Sequence, residues 1–342
     1  MRIISKVKIR DEREIWFFDL LLCRYSKNKN DKNLKLFPKP YQQNVFDEII
    51  KKVDKKHDGI FVLNAGFGEI YLISFFLEAL LKKYKIKNPC FISHREISRE
   101  LIGLYYPNIP FYLVNRPDKF LSIKNTNNKY RNKFIHINPC TAFEMMNFWE
   151  KYLLNLDSRN YVQVMSNFAK VQIKNKPNVI IDDRVKKNAE EKVKSLNLNL
   201  NNFVVFFTEA NFFSRLDKDV WEKLKLSFLQ TGIDVLVNSE NFGIQEIYYL
   251  VSISKGIVGL RCGLCELFSA LEIPKHIIYT KCRRDVKDIL QVFSFKNYPY
   301  VKKETVFEYE ISKESLTVIL EKIIIKFNKQ EDKSCTNNKS TS

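Results

Sequence analysis

A carboxylate directly after two glycines is the first group in this sequence that could do chemistry. Gly66-Phe67-Gly68-Glu69 follows the apolar run GIFVLN (59–64) and opens the helical stretch 70–84. Glycines let the backbone turn tightly and let a ligand approach closely. A carboxylate placed there could take the proton from an attacking hydroxyl. The structural alternative is a tight turn whose Glu69 favours the helix dipole. A dinucleotide fingerprint would need a third glycine where Leu72, Ile73 and Ser74 stand. A nicotinamide or flavin is therefore not expected, and the reading includes no cofactor.

The second group is Arg261-Cys262-Gly263-Leu264-Cys265-Glu266, between the apolar run GIVGL and a helical stretch. A guanidinium, free amides and a helix start would suit a pyrophosphate; the alternative is an ordinary turn with an exposed Arg. Cys262 and Cys265 form a C-x-x-C whose neighbours, His276 and Cys282, match no common zinc spacing. Core packing is the plainer explanation for that pair, and a redox couple the other. No metal site is expected.

The third group follows NFVVFF (202–207): Thr208, Glu209 and Asn211, then Arg215. Polar and cationic groups there could hold a phosphate or a base, or could form a solvated loop. His94 after CFIS and His136 in KFIHI stand at strand ends, where each could touch an acceptor or be a satisfied structural histidine. Arg95, with Arg99 and Arg116, could rim the same area or line a solvated face.

The elements that must position these groups alternate. Strand patterns at 59–64, 90–93, 109–114 and 133–137 interleave with helical ones at 70–84, 94–105, 142–155 and 158–170. A second series has strands at 202–207, 234–238, 256–260 and 276–280, with helices at 217–230, 244–254, 262–271 and 312–328. Such alternation implies parallel βαβ units, whose ligands bind outside the carboxyl ends of the strands. Residues 1–56 read as helical and polar, with an amphipathic helix from Tyr41 to Val53. The Lys- and Asn-rich stretch 171–202 marks a boundary. We therefore expect a domain over 1–178 with an N-terminal extension, a second over 179–328, and a disordered tail over 329–342.

Composition narrows the classes. The 342 residues are 45% hydrophobic, enough for two cores, and carry a net charge of +18. Residues 1–180 hold 32 Lys+Arg against 17 Asp+Glu, and 181–342 hold 25 against 22. A basic first half collects anionic partners such as phosphates, nucleic acid or an anionic membrane. Aromatics are not interleaved with the cations on one evident face, so nucleic acid is not expected. No apolar window reaches membrane-spanning length, the start lacks a signal core, and the seven scattered cysteines suit a reducing cytoplasm.

FVVFFTEA, the Asp and Trp of DKDVWEK, and above all GIVGLRCGLCELFSAL resemble the donor half of bacterial GT-B glycosyltransferases of capsule and lipopolysaccharide synthesis. The likeness extends more distantly to the heptosyltransferases. It implies two Rossmann-like domains with parallel sheets facing a central cleft. It implies a nucleotide-sugar donor on the C-terminal domain with its phosphates at Arg261 and Gly263. Cys262 stands where the family has a phosphate-binding Ser, and the residue types add Cys262, Leu264, Glu266, Thr208, Glu209, Asn211 and Arg215 to the expected donor site. It also implies Glu69 as base. The residue types place Gly66, Gly68, His94, Arg95 and His136 on the acceptor side, the lack of a D-x-D suits a site without metal, and the basic first half suits a glycan or lipid-linked acceptor at the inner face of the cytoplasmic membrane. Arg-Cys-Gly stands where the heptosyltransferases have Asp-Thr-Gly, so a heptose donor is not expected. A nucleotide-sugar epimerase or hydrolase, a non-catalytic anion binder and a degenerate transferase kept as a scaffold are the rival readings.

Overall fold

The structure is a computed structural model. It describes residues 51–53, 55–63, 66–114, 134–136, 161–173, 176, 178–211, 213–237, 242–282 and 288–337, together with strand backbone within 4–36. Two compact units emerge: Met1–Ala65 with Leu77–Arg99 and Tyr106–Phe148, and Gly66–Phe76 with Glu100–Tyr105 and Trp149–Ser342.

The first unit opens with strands rather than the expected polar helix. β1 (Ile4–Ile9), β2 (Glu12–Phe17), β3 (Leu20–Ser26) and β4 (Lys35–Leu36) form an antiparallel sheet in that order. The pairings Ile9↔Glu12 and Phe17↔Leu20 leave two residues at each reversal. Period-two alternation in Val7-Lys8-Ile9 and the β-prone Ile15-Trp16-Phe17 override the helical look of the charges. The helix expected over 41–53 lies outside the described residues except at its end, where Lys51 and Lys52 are helical.

The remainder of this unit holds β5 (Gly59–Val62), β6 (Pro89–Ser93), β7 (Phe111–Leu113) and β8 (Phe134–His136). They form a parallel sheet ordered β7-β6-β5-β8. In chain order that is 3-2-1-4, the arrangement of a doubly wound half whose strand order reverses beside β5. Every residue of β5 is buried, as a strand covered on both faces requires. The helix expected at 142–155 lies outside the described residues.

Between β5 and β6 runs helix α1 (Phe67–Tyr84), and α2 (Glu96–Gly103) follows β6. From Ile70 to Leu77 every described side chain of α1 is buried, so this stretch is covered all round and apolar but for Ser74. Lys82 and Lys83 close it, where the helix dipole favours cations.

The second unit continues with α3 (Tyr161–Ala169) and α4 (Asp183–Ser195). Its sheet comprises β9 (Phe203–Phe207), β10 (Asp234–Val237), β11 (Ile257–Leu260), β12 (Lys275–Tyr279) and β13 (Val306–Glu310), all parallel and ordered β10-β9-β11-β12-β13. In chain order this is 2-1-3-4-5, with the reversal between β9 and β11. Helices α5 (Lys218–Gln230), α6 (Ile244–Ile253), α7 (Gly263–Glu266), α8 (Ile289–Phe293) and α9 (Leu316–Asn337) complete it.

Three expectations change here. The helix expected over 262–271 is a single helical turn, α7, followed by turns. β13 was not anticipated: VFEYE pairs on one side only, as an edge strand. The last helix runs to Asn337, through much of the stretch expected to be a disordered tail, because KQEDK continues it with good helix formers.

Aromatic packing holds the second core. Phe206 packs on Trp221 and Phe228, and Phe228 on Phe327. His276 is fully buried, stacked between Phe307 and Phe327 at 4.7 and 4.6 Å, with Nδ1 2.9 Å from the Tyr309 hydroxyl. Burial, then the nearby Lys326 ammonium, push its pKa down to about 3. Lys275, also fully buried, donates to the carbonyls of Leu271 and Ile273 and to Thr305 Oγ1, which satisfies all three of its protons. Among the described residues no helix is long and apolar enough to cross a membrane.

Candidate functional site

The carboxyl edge of the β9–β13 sheet carries two of the three groups picked out by residue type. β9 is buried throughout, and the chain emerges at Thr208, half-buried, and Glu209, exposed. The loop is then tied to the end of β12. Phe213 bridges to Cys282, the Ser214 N–H donates to the Lys281 carbonyl at 2.9 Å, and Thr280 Oγ1 donates to the Ser214 carbonyl at 2.6 Å. Asn211 and Arg215 are exposed on this anchored loop. Arg215 lies 3.6 Å from Glu209, with both side chains mostly in solvent, so the pair restrains little.

At the end of β11 the Arg261 N–H donates to the Ile278 carbonyl, extending the sheet by one residue. Its side chain does not open to solvent as expected for a phosphate anchor. It is 7% exposed and ion-paired with Glu266, which is 2% exposed. Nη2 donates to the Tyr298 hydroxyl at 3.0 Å and Nε to the Phe293 carbonyl at 3.4 Å. The guanidinium also lies 5.4 Å from the Phe293 ring centre and 5.8 Å from that of Tyr298. A buried guanidinium must find an anion and acceptors for its fork, and Glu266, five residues on, supplies the anion.

The remaining group, the Gly66–Gly68 turn, joins this one inside the second unit. A Cβ built on Gly263 would lie 2.8 Å from the Gly68 nitrogen and 2.9 Å from the Phe67 Cβ. The Glu266 carboxylate fills the space where a Gly68 side chain would begin. Further along α1, the Tyr71 hydroxyl is 2.7 Å from Ser269 Oγ, and the Tyr71 ring stacks on Tyr298 at 6.2 Å. Burial raises the Tyr71 phenol far above its ordinary pKa, so it stays protonated. The two glycine turns, 195 positions apart in sequence, thus form one packed cluster.

Cys262, Gly263 and Leu264 are the half-buried residues of this turn. Cys262 caps α7, its thiol accepting the Cys265 N–H at 3.4 Å, and the two sulfurs are 3.4 Å apart. The hydrogen bond between the two sulfurs, then those from backbone amides, lowers the Cys262 pKa, with the Arg261 charge adding to it. Burial raises that of Cys265.

The remaining candidates lie elsewhere or outside the description. Glu69 is in the first turn of α1, and its side chain is not among those described; nor is that of His136, the last residue of β8. Gly66 is half-buried. His94 and Arg95 are half-buried at the carboxyl end of β6, and Arg99 is exposed and paired with Glu96. Arg116 lies outside the described residues. Among the described residues no three His, Cys, Asp or Glu side chains are grouped to hold a metal ion. Sequence reasoning missed Tyr71, Ser269, Phe293 and Tyr298, since ordinary apolar and aromatic positions give no signal of long-range polar partners.

Solved structures place this architecture. The chain superposes on a glycosyl transferase family 9 protein from Veillonella parvula with a TM-score of 0.52, at 15% identity, covering 79% of this chain and 96% of that one. It superposes on the ADP-heptose lipopolysaccharide heptosyltransferase II of E. coli with a TM-score of 0.53, at 11% identity, covering 80% and 99%. The fold is GT-B. At these identities the likeness is one of fold, and a GT-B fold leaves the chemistry to be argued from the residues. No protein-family model matches the sequence, and no curated protein matches it. The distant heptosyltransferase-like resemblance read from GIVGLRCGLCELFSAL therefore holds at the level of the fold.

Proposed function

We propose that this protein is a glycosyltransferase that moves a sugar from a nucleotide-sugar donor to a hydroxyl of a capsular or lipopolysaccharide acceptor, without a metal ion. One observation carries the reading: the GT-B strand reversal between β9 and β11 lies beside the two loops richest in donor-type groups. These are Thr208–Arg215 and Cys262–Leu264, the latter packed on the glycine turn that precedes Glu69.

In this mechanism the donor lies on the 179–328 region and the acceptor on the side of residues 1–178. Glu69 takes the proton of the acceptor hydroxyl as its oxygen attacks the anomeric carbon. Exposed Arg215 and the amides of the Cys262–Leu264 turn meet the diphosphate as its charge grows. Thr208, Glu209 and Asn211 contact the nucleoside. Arg261 and Glu266 act differently from a bare phosphate anchor: their mutual ion pair fixes the turn that carries Gly263. Gly66 and Gly68 let the acceptor-side backbone come close, and His94, Arg95 and His136 contact the acceptor. The basic first half suits a phosphate-bearing, lipid-linked acceptor at an anionic membrane face in the cytoplasm.

The test is a transfer assay over a panel of nucleotide sugars, run with and without lipid-linked oligosaccharide acceptors. Sugar appearing on an acceptor supports the reading. Epimerised sugar, or donor consumed equally fast without acceptor, would replace it with an epimerase or hydrolase.

A further inference from the structure

The proposed transfer leaves the Cys262–Cys265 pair unused, and its geometry has a chemistry of its own. The sulfurs are 3.4 Å apart, and both thiols are free. Cys262 stands at the N-cap of a helical turn, half-buried, where the Arg261 charge acts on it. Cys265 is fully buried beneath it, its thiol donating to the Leu260 carbonyl at 3.4 Å. One sulfur thus belongs to a half-buried residue, and the other is enclosed within reach of the first. A C-x-x-C at a helix start has this division of labour when the outer thiol reacts and the inner one resolves.

We propose that Cys262 and Cys265 form a reversible dithiol–disulfide pair, oxidised by hydroperoxides, with Cys262 as the thiol attacked first. The Cys262 thiolate attacks a peroxide oxygen, so that an S–O bond forms, the O–O bond breaks, and hydroxide leaves and is protonated. The Cys265 sulfur then attacks the resulting sulfenic acid. The S–S bond forms, the S–O bond breaks, and the Cys265 proton leaves with the hydroxyl as water. The two thiols lose two electrons and two protons together, and hydrogen peroxide becomes two waters. The lowered pKa of Cys262 supplies thiolate for the first step, and the raised one of Cys265 keeps it a thiol until the second. Oxidation withdraws the Cys265 sulfur from Leu260 and the Cys262 sulfur from its cap, so the Gly263 turn is remodelled. The proposal does not depend on glycosyl transfer.

Trypsin places both thiols in one peptide, Cys262–Lys275. The experiment treats the folded full chain with hydrogen peroxide, alkylates it, and maps this peptide by mass. The expected product is unalkylated, lighter than the dithiol peptide by two hydrogens, and restored by dithiothreitol. In Cys265→Ser, Cys262 is expected to stop at a sulfenic acid that dimedone traps. In Cys262→Ser, Cys265 is expected to stay reduced. The idea fails if both thiols of the wild-type peptide remain alkylatable while Cys90 or Cys282 oxidises. It fails equally if Cys265 oxidises at an undiminished rate in Cys262→Ser.

Discussion

The Glu266 carboxylate lies against Gly68, in the volume a side chain there would need, while the same carboxylate pairs with Arg261. A glycine on the first turn of α1 and an ion pair at the end of β11 therefore depend on each other. Gly68→Ala is expected to cost about 1–3 kcal/mol by overpacking, despite the better helix propensity of alanine. Urea unfolding measures it. In the Glu266→Ala background the same substitution is expected to cost less, because the clashing carboxylate is gone. Equal costs in both backgrounds would mean that the contact has no energetic weight.

The Arg261–Glu266 pair is nearly dry, with side-chain exposures of 8% and 3%. Arg261→Met strands a buried carboxylate and is expected to destabilise the protein by about 3–5 kcal/mol. Arg261→Met with Glu266→Leu removes both charges and is expected to recover most of that loss. Melting curves of the three variants check the ordering.

His276 makes stability depend on pH in a fixed direction. Its native pKa, about 3, lies below the ordinary 6.5, so the unfolded chain binds this proton more tightly than the folded one. Stability is then expected to fall as pH drops below about 6.5, by up to about 1.4 kcal/mol per unit, and to keep falling to about 3. Nothing is lost from this group above neutrality. His276→Phe is expected to flatten that part of a stability-versus-pH profile.

Arg215 separates the donor reading from a structural one. Among the described residues its close charge is an exposed Glu209 at 3.6 Å, so Arg215→Ala is expected to leave stability within about 0.5 kcal/mol. If Arg215 meets a diphosphate, the same change weakens nucleotide-sugar binding about tenfold, or about 1.4 kcal/mol. Titration calorimetry reads the second and urea unfolding the first.

The α/β alternation was legible because runs such as FVVFF and GIVGL are short, apolar and bounded by turn residues. Fully buried parallel strands have that signature. The N-terminal sheet was not, since charges in KVKIRDERE mask a period of two. β13 escaped because VFEYE pairs on one side only. Glycine-rich turns at Gly66–Gly68 and Arg261–Gly263 stood out by type, but their contact did not: it depends on two segments far apart in sequence. For Arg261 the residue alone suggested an open cation, and only Glu266 together with Tyr298 and Phe293 reveals the buried pair. A charged residue's partner is a tertiary fact, and the spacing of five to Glu266 falls outside the helical i, i+3 and i, i+4 rules.

Glu69 carries the chemistry of the proposed transfer. Glu69→Gln keeps the shape and removes the base, so turnover is expected to fall about 10²–10⁴-fold while donor affinity stays the same. A rate assay beside a binding titration checks both.

The most direct measurement of the central claim is the melting temperature of the full chain titrated with nucleotide sugars and the matching nucleoside diphosphates. A ligand bound only by the folded state raises it with concentration. We predict a saturable rise with at least one nucleotide sugar and its nucleoside diphosphate, diminished in Arg215→Ala, and none with the free sugar. No rise with any nucleotide across the panel would contradict donor binding, and with it the transferase.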